Sequence, residues 1–477
     1  MTAMRRGWLH LASGAGLGRV LGFASNLLLS RWLGPTELGL FNLVATTVQT
    51  SDTLVRCGGD YALNFELGGQ SEATKTERGA QLARGLAQLC SLTTILICLG
   101  VGLWVWWGQG LFPISFRVSH RLILTSLLLL MIACEGTAAA AWEVLLVSHR
   151  TALLALRQGL FFPLRLLFAA CGSFYGGVVG AMGGWTLVAL IQCVWLRRVL
   201  GSLWNPLQIW PLLFTSLYQL LRRGLPFYTA NLLASLIFYP LLLKVASGSG
   251  LAEIGYLRVG QILQQLFAFL PSTLVPVLFL KLRGESNFAD QVLVMEKPIR
   301  IIWFLLLEVL LLYCMADKSL IVRLFGASFL SALLPTRLLL LTALFECLNQ
   351  LAVQPLLATG QTRLYGLWQN GAAVLAAVLG WLWIPTFGLA AYLIIRLLYV
   401  VVPFIGFGMP IVKKLHEPQK MFSLALASIG LLILLLAQVL LGHSLASTPL
   451  IFFFTLVFIL VSQRHDLTAL KQVPRIE

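Results

Sequence analysis

The chain has 477 residues, 58% of them apolar and 11% charged, against roughly half apolar and a quarter charged in soluble domains. At about 20 apolar residues per membrane-crossing helix, that content fills about fourteen spans and excludes a sizeable domain outside the membrane. A net charge of +16 would suit nucleic acid in a soluble protein, but most charges here flank apolar runs and read as topology signals, so no nucleic-acid partner is expected.

Breaking the chain at charge clusters and Gly/Pro punctuation predicts six spans near residues 8–30, 38–57, 86–107, 122–146, 158–175 and 178–196. The first carries Arg19 and no small-residue cleavage site, so it reads as an uncleaved span rather than an export signal. After an interval, spans follow near 225–246, 254–280, 299–316, 338–358, 364–384, 388–409, 421–442 and 447–463. The interval contains Arg197, Arg198, Arg222 and Arg223 around Leu207, Trp210, Leu213 and Leu217, the pattern of a helix lying along the cytoplasmic interface. The expected organisation is therefore an N-terminal six-helix lobe (1–198), a linker helix (199–223), a C-terminal six-helix lobe (224–412) and two further helices with a tail (413–477).

Charge supports fourteen helices with both termini cytoplasmic. Of 34 Lys and Arg, only seven (Arg31, Arg117, Arg121, Lys244, Lys318, Arg323, Arg337) then fall in outside loops, while 22 fall inside. The other five, Arg19, Arg56, Arg165, Arg258 and Arg396, lie within spans.

The lobes repeat one another. A shift of 216 residues sets Thr36-Glu37-Leu38-Gly39-Leu40 over Ala252-Glu253-Ile254-Gly255-Tyr256, with Gly34 on Gly250 and Gln49 on Gln265. A shift of 211 superposes Glu135 on Glu346, Thr151 on Thr362, Gln158 on Gln369 and Gly177 on Gly388. Six spans separate the copies, so both keep one orientation, and the repeats are parallel about an axis along the membrane normal. Transporters bind substrate in a central cavity between such repeats. The fold class expected is thus all-α and polytopic, two six-helix parallel repeats around a cavity plus two C-terminal helices.

Ionisable and amide side chains inside spans are the candidate functional groups. Asn42, Thr46, Gln49, Asp52, Thr53 and Arg56 form a polar stripe on the second span, and Arg258, Gln261 and Gln265 form one on the eighth. Either the stripes line a cavity or they supply interhelical hydrogen bonds. Arginine's planar fork suits a pyrophosphate, which makes Arg19, Arg56 and Arg258 head-group candidates. For Arg56 an i,i+4 ion pair with Asp52 competes with that role. Glu135 and Glu346, at matched repeat positions inside spans four and ten, are candidates for proton or sodium coupling, with a neutral packing role as the alternative. Asp52 belongs to the same ion-coupling set. Gly14, Gly16 and Gly18 follow no strand, so they point to close helix packing or a hinge and not to a dinucleotide.

Enzyme chemistry finds little footing. There are five Asp, no DxD, no GxxxxGK and no HExxH, and the eight Cys show no CxxC spacing. No catalytic residue, metal site or cofactor is expected. A membrane polymerase or transferase acting on lipid-linked sugars is the remaining enzyme reading, disfavoured because the longest outside loop spans only about twenty residues near 317–337.

Residues as well as architecture resemble one family. Arg19-Val20-Leu21-Gly22-Phe23 and then Leu33-Gly34-Pro35-Thr36-Glu37-Leu38-Gly39-Leu40-Phe41 resemble the opening of polysaccharide flippases in the multidrug/oligosaccharidyl-lipid/polysaccharide exporter superfamily. The resemblance implies movement of an undecaprenyl-pyrophosphate-linked oligosaccharide from the inner to the outer leaflet of the bacterial inner membrane by alternating access. Polysaccharide assembly proteins would be the partners, besides membrane lipids. Lipid II flippases in the same superfamily resemble the chain in placing arginines on the first, second and eighth helices, where Arg19, Arg56 and Arg258 stand; multidrug antiporters share the build. Cysteine labelling from each side of the membrane checks the topology. Positions 78, 150, 223, 297 and 413 are expected to label from the cytoplasm and 117 and 323 from outside, and labelling of 223 and 117 from the same side would overturn it.

Overall fold

The computed structural model describes residues 2–60, 62–63, 77–107, 118–147, 151–201, 214–268, 282, 287–358, 362–412 and 430. The predicted spans thirteen and fourteen apart from residue 430, residues 202–213 of the predicted linker helix, residues 269–280 of predicted span eight and the C-terminal tail lie outside the described residues. The described residues are helical almost throughout: α1 (Thr2–Arg56), α2 (Glu77–Trp107), α3 (Val118–Val147), α4 (Thr151–Leu156), a π-turn (Arg157–Phe161), α5 (Phe162–Leu200), α6 (Phe214–Ser249), α7 (Leu251–Phe267), α8 (Phe288–Leu324), a 3-10 turn (Ala327–Ala332), α9 (Leu333–Ala358) and α10 (Thr362–Val412). Among the described residues seven helices are long and apolar enough to cross a membrane. All-helical structure follows from the solvent, since in hydrocarbon each backbone N–H and C=O must find its partner within the protein.

Three of these helices are bent pairs. α1 turns at Gly34 (φ 68°), α5 at Gly176-Gly177 (Gly177 φ 54°) and α10 at Gly388 (φ 52°), while Gly250 (φ 94°) separates α6 from α7. Positive φ is open to glycine at little cost. These are the breaks expected between spans one and two, five and six, eleven and twelve, and seven and eight. The repeat appears in the backbone too: Gly34 and Gly250 correspond under the 216 shift, Gly177 and Gly388 under the 211 shift, and all four have positive φ.

The chain divides into two compact units, Met1–Arg258 and Val259–Glu477. In the first, the arms of α5 lie almost backbone to backbone. A Cβ at Gly172 would overlap the Gly180 carbonyl, a Cβ at Gly180 the Gly172 carbonyl, and a Cβ at Gly184 the Phe168 carbonyl. Trp142, Phe161 and Trp195 form an aromatic core with centroids 5.2–6.3 Å apart. Gly14 packs as the small-residue run predicted, since a Cβ there would lie 2.7 Å from the Ala155 carbonyl. In the second unit Phe404 of α10 packs on Trp303 of α8 (5.6 Å) and Phe345 of α9 (5.5 Å). Asn349 Nδ2 donates to the Val400 carbonyl at 2.7 Å, and Asp317 pairs with Arg337 at 2.5 Å.

One contact in the first unit has its own two-fold character. The second arm of α1 and the start of α7 meet so closely that a Cβ at Gly39 would overlap the Leu251 carbonyl and a Cβ at Gly255 the Pro35 carbonyl. Under the 216 shift Gly39 corresponds to Gly255 and Pro35 to Leu251, so each glycine accepts the backbone equivalent to the one its partner accepts. Gly39→Val is therefore expected to force these ends apart. Spin labels at Thr36 and Ala252 should report a longer distance in the variant than in the otherwise native chain, and an unchanged distance would count against the contact.

Candidate functional site

Three polar clusters lie inside the helices. The first grows from the glycine contact. Close approach brings the Asn42 amide, almost fully buried, to the Ile254 carbonyl at 3.5 Å. One turn further along α7 is Arg258, 6% exposed, whose Nη2 donates to Asn26 Oδ1 at 3.0 Å. The Asn26 amide in turn donates to the Gly22 carbonyl at 2.9 Å. Arg258 Nε is buried with no hydrogen-bond partner. Among the described residues no carboxylate pairs with this guanidinium, so a full positive charge sits out of water held by one neutral amide. Arg19 stands half-buried two turns before Asn26 on the same face of α1, about 10 Å along the axis. Gln261 is half-buried and Gln265 exposed on α7, and Gln49, the counterpart of Gln265, is also exposed.

The second cluster surrounds Arg56. Its Nη2 meets Asp52 at 2.9 Å, its Nη1 meets Glu143 at 2.8 Å and Asp60 at 3.7 Å, and its Nε also donates to Asp52, at 3.2 Å. All three nitrogens of the fork are engaged, with three carboxylates around one cation. Arg157, on the π-turn, lies over the Trp142 ring at 5.1 Å, next to Glu143 in the chain. Nearby, α6 is tied to α1 by the Tyr228 hydroxyl, which donates to the Thr53 carbonyl, and by a Thr47 to Tyr239 hydroxyl bond at 2.7 Å. The i,i+4 pairing of Arg56 with Asp52 was legible in the sequence; the bond to Glu143, 87 residues away, was not.

The coupling candidates are engaged differently in the two units. Glu135 pairs with Arg165 at 2.5 Å, both largely buried, and Arg165 also donates to Gln192. Glu346 accepts from the Gln264 amide at 3.0 Å. The repeat thus matches the carboxyls but gives one a cation and the other a neutral donor. Arg165, placed within a span by the sequence, is the partner that neutralises Glu135. Asn26 escaped the sequence reading, although an Asn two turns from Arg19 on its own face was a visible signal. Among the described residues no group of His, Cys, Asp and Glu could hold a metal ion.

No family model and no curated protein sequence matches the chain. Solved structures do. The chain is similar to the lipid II flippase MurJ in an inward closed conformation, with a TM-score of 0.71 and 12% identity over 96% of this chain and 99% of that one. It has the fold of the multidrug/oligosaccharidyl-lipid/polysaccharide exporter superfamily. An outward-facing multidrug resistance transporter of the MATE family in that superfamily superposes with a TM-score of 0.57 and 15% identity over 86% of this chain and 96% of its own. A transporter of that superfamily from Pyrococcus furiosus, with a binding pocket of reverse polarity, superposes with a TM-score of 0.55 and 15% identity over the same shares. In these superfamily folds the chemistry belongs to the side chains on the helices and not to the scaffold, so the three clusters decide what this chain can do.

Proposed function

We propose that the protein is a flippase that moves a lipid-linked oligosaccharide of the undecaprenyl-pyrophosphate type from the inner to the outer leaflet by alternating access, for cell-surface polysaccharide synthesis. Arg258 carries this reading. A buried guanidinium without a counter-charge is costly unless an anion completes it, and a pyrophosphate offers several oxygens to its planar fork. Arg19 would share the head group, with Asn26 holding the fork of Arg258 in place and Asn42, Gln49, Gln261 and Gln265 as the neutral ligands along the same helices. Arg56, saturated by three carboxylates, would organise the helix ends instead of binding substrate. Asp52, Glu135 and Glu346 remain the proposed ion-coupling groups. The expected setting is the bacterial inner membrane with both termini cytoplasmic, working beside polysaccharide assembly proteins.

A second reading within the same chemistry, flipping of lipid II, is favoured by the near-complete mutual coverage with MurJ. Both substrates present a pyrophosphate on a long isoprenoid, and Arg258 suits either. Export of an organic cation fits less well, because Arg258 would repel it. Transfer or polymerisation of sugars fits least, since the solved structures that share this fold are a flippase and multidrug transporters.

Arg258→Ala and Arg19→Ala are each expected to abolish translocation while leaving protein levels near those of the unmodified chain. Complementation of strains lacking a polysaccharide flippase and of strains depleted of a lipid II flippase, with immunoblots, checks this and separates the two substrates. Full activity of both variants would remove the head-group assignment, and loss of protein would mean that these arginines serve folding.

A further inference from the structure

One acidic side chain inside a span has no use in the foregoing account. Glu308 lies at the middle of the predicted ninth span, residues 299–316, on α8. Its neighbours at three- and four-residue spacing and beside it, Leu305, Leu312 and Val309, are 40%, 54% and 49% exposed. Leu306, Leu307, Leu310 and Leu311 are buried and form the packed side of the helix. Glu308 therefore stands on the flank of the exposed apolar stripe, at the middle of the predicted span, partly exposed, with Oε1 covered and without a hydrogen-bond partner.

The other intramembrane carboxyls are provided for. Asp52 and Glu143 have Arg56, Glu135 has Arg165, and Glu346 has Gln264; beyond the span, Asp317 has Arg337. Among the described residues, none of the ionisable groups on the elements packed against α8 serves Glu308. Arg337 on α9 is held by Asp317, Glu346 on α9 by the Gln264 amide, and Arg396 on α10 bonds Tyr392. On α8 itself Arg300 lies two turns away beside Glu296 at 4.0 Å, and Tyr313, Cys314 and Asp317 lie one to three turns on. A carboxylate at this depth with no cation and no donor among the described residues is costly, whereas a neutral carboxylic acid is tolerated.

We propose that Glu308 is a membrane-embedded proton-exchange site, a carboxylic acid in this conformation that releases its proton to water when the packing of α8 changes, and that it carries a proton in the transport cycle. The O–H bond breaks, its electron pair stays on the carboxylate, and the proton passes to water; no other reactant is needed. The coupling role rests on the flippase reading, whereas the protonation site itself does not.

Reaction with carbodiimides separates the two. A protonated carboxyl adds across the C=N bond of a carbodiimide, its proton going to nitrogen and its oxygen to carbon, and the adduct rearranges to a stable acylurea of added mass. The full chain in lipid vesicles is treated with dicyclohexylcarbodiimide or with a water-soluble charged carbodiimide across pH 6 to 9, followed by peptide mass spectrometry. Glu308 is expected to label at least ten-fold more with the hydrophobic reagent and to lose labelling as pH rises. Glu308→Asp should retain it, and Glu308→Gln should lose it while keeping the elution and thermal unfolding profile of the unmodified protein. No adduct, equal labelling by the charged reagent, or labelling independent of pH would each overturn the site. Undecaprenyl pyrophosphate is then added, and a change of at least three-fold in the labelling rate is expected. An unchanged rate in a chain that still translocates this lipid overturns the coupling role. A chain that labels as expected but translocates no such lipid overturns the substrate reading and leaves the proton site standing.

Discussion

The contact on which the rest of the candidate site depends is the meeting of two backbones at Gly39 and Gly255. Neither glycine has room for a Cβ, because each receives a carbonyl from the other helix. In lipid there is no hydrophobic force between helices, so close van der Waals approach and polar bonds must supply the association. The glycines allow the approach, and the approach brings Asn42 to Ile254 and, one turn on, Arg258 to Asn26. A larger residue at either position would separate the helices before those bonds could form. A contact of backbone on backbone thus places a charge that is 6% exposed between the helices.

The three clusters then differ by how their charge is balanced. Arg56 has more carboxylates than it can neutralise, Glu135 and Arg165 match one for one, and among the described residues Arg258 has only an amide. Buried pairs roughly break even against their desolvation, but a buried ion left alone is strongly destabilising. The first two clusters are therefore compatible with a structural role that holds helix ends together, whereas the third is incomplete by itself. This imbalance, and not the fold, is what supports the proposal that Arg258 receives an anionic head group. The superfamily fold is shared with a lipid II flippase and with multidrug transporters, and the scaffold alone does not choose among them.

Much of the architecture was legible in the residues because membrane helices obey few rules. Apolar runs of fixed length marked the spans, and glycine marked the turns because a positive φ is what Gly34, Gly177, Gly250 and Gly388 supply. The parallel repeat was legible because those glycines recur in pairs at shifts of 216 and 211 residues. The site was legible only where spacing along one helix decides contact, as for Arg56 with Asp52. Partners on other helices were invisible, since an arginine inside a span does not announce which carboxyl it meets: Glu143, Arg165 with Glu135, and Asn26 with Arg258 required the packing. Glu308 was passed over for the same reason, because the feature that sets it apart is a partner it does not have.

The most direct measurement of the central claim is lipid binding to the purified full chain in nanodiscs, with and without Arg258. Native mass spectrometry would follow undecaprenyl pyrophosphate and uncharged undecaprenol on the native protein and on Arg258→Gln. Charge-assisted hydrogen bonds are worth about 1.5–3 kcal/mol, so the variant is predicted to bind the pyrophosphate at least about ten-fold more weakly and the alcohol equally well. Equal pyrophosphate binding by both proteins would contradict the account.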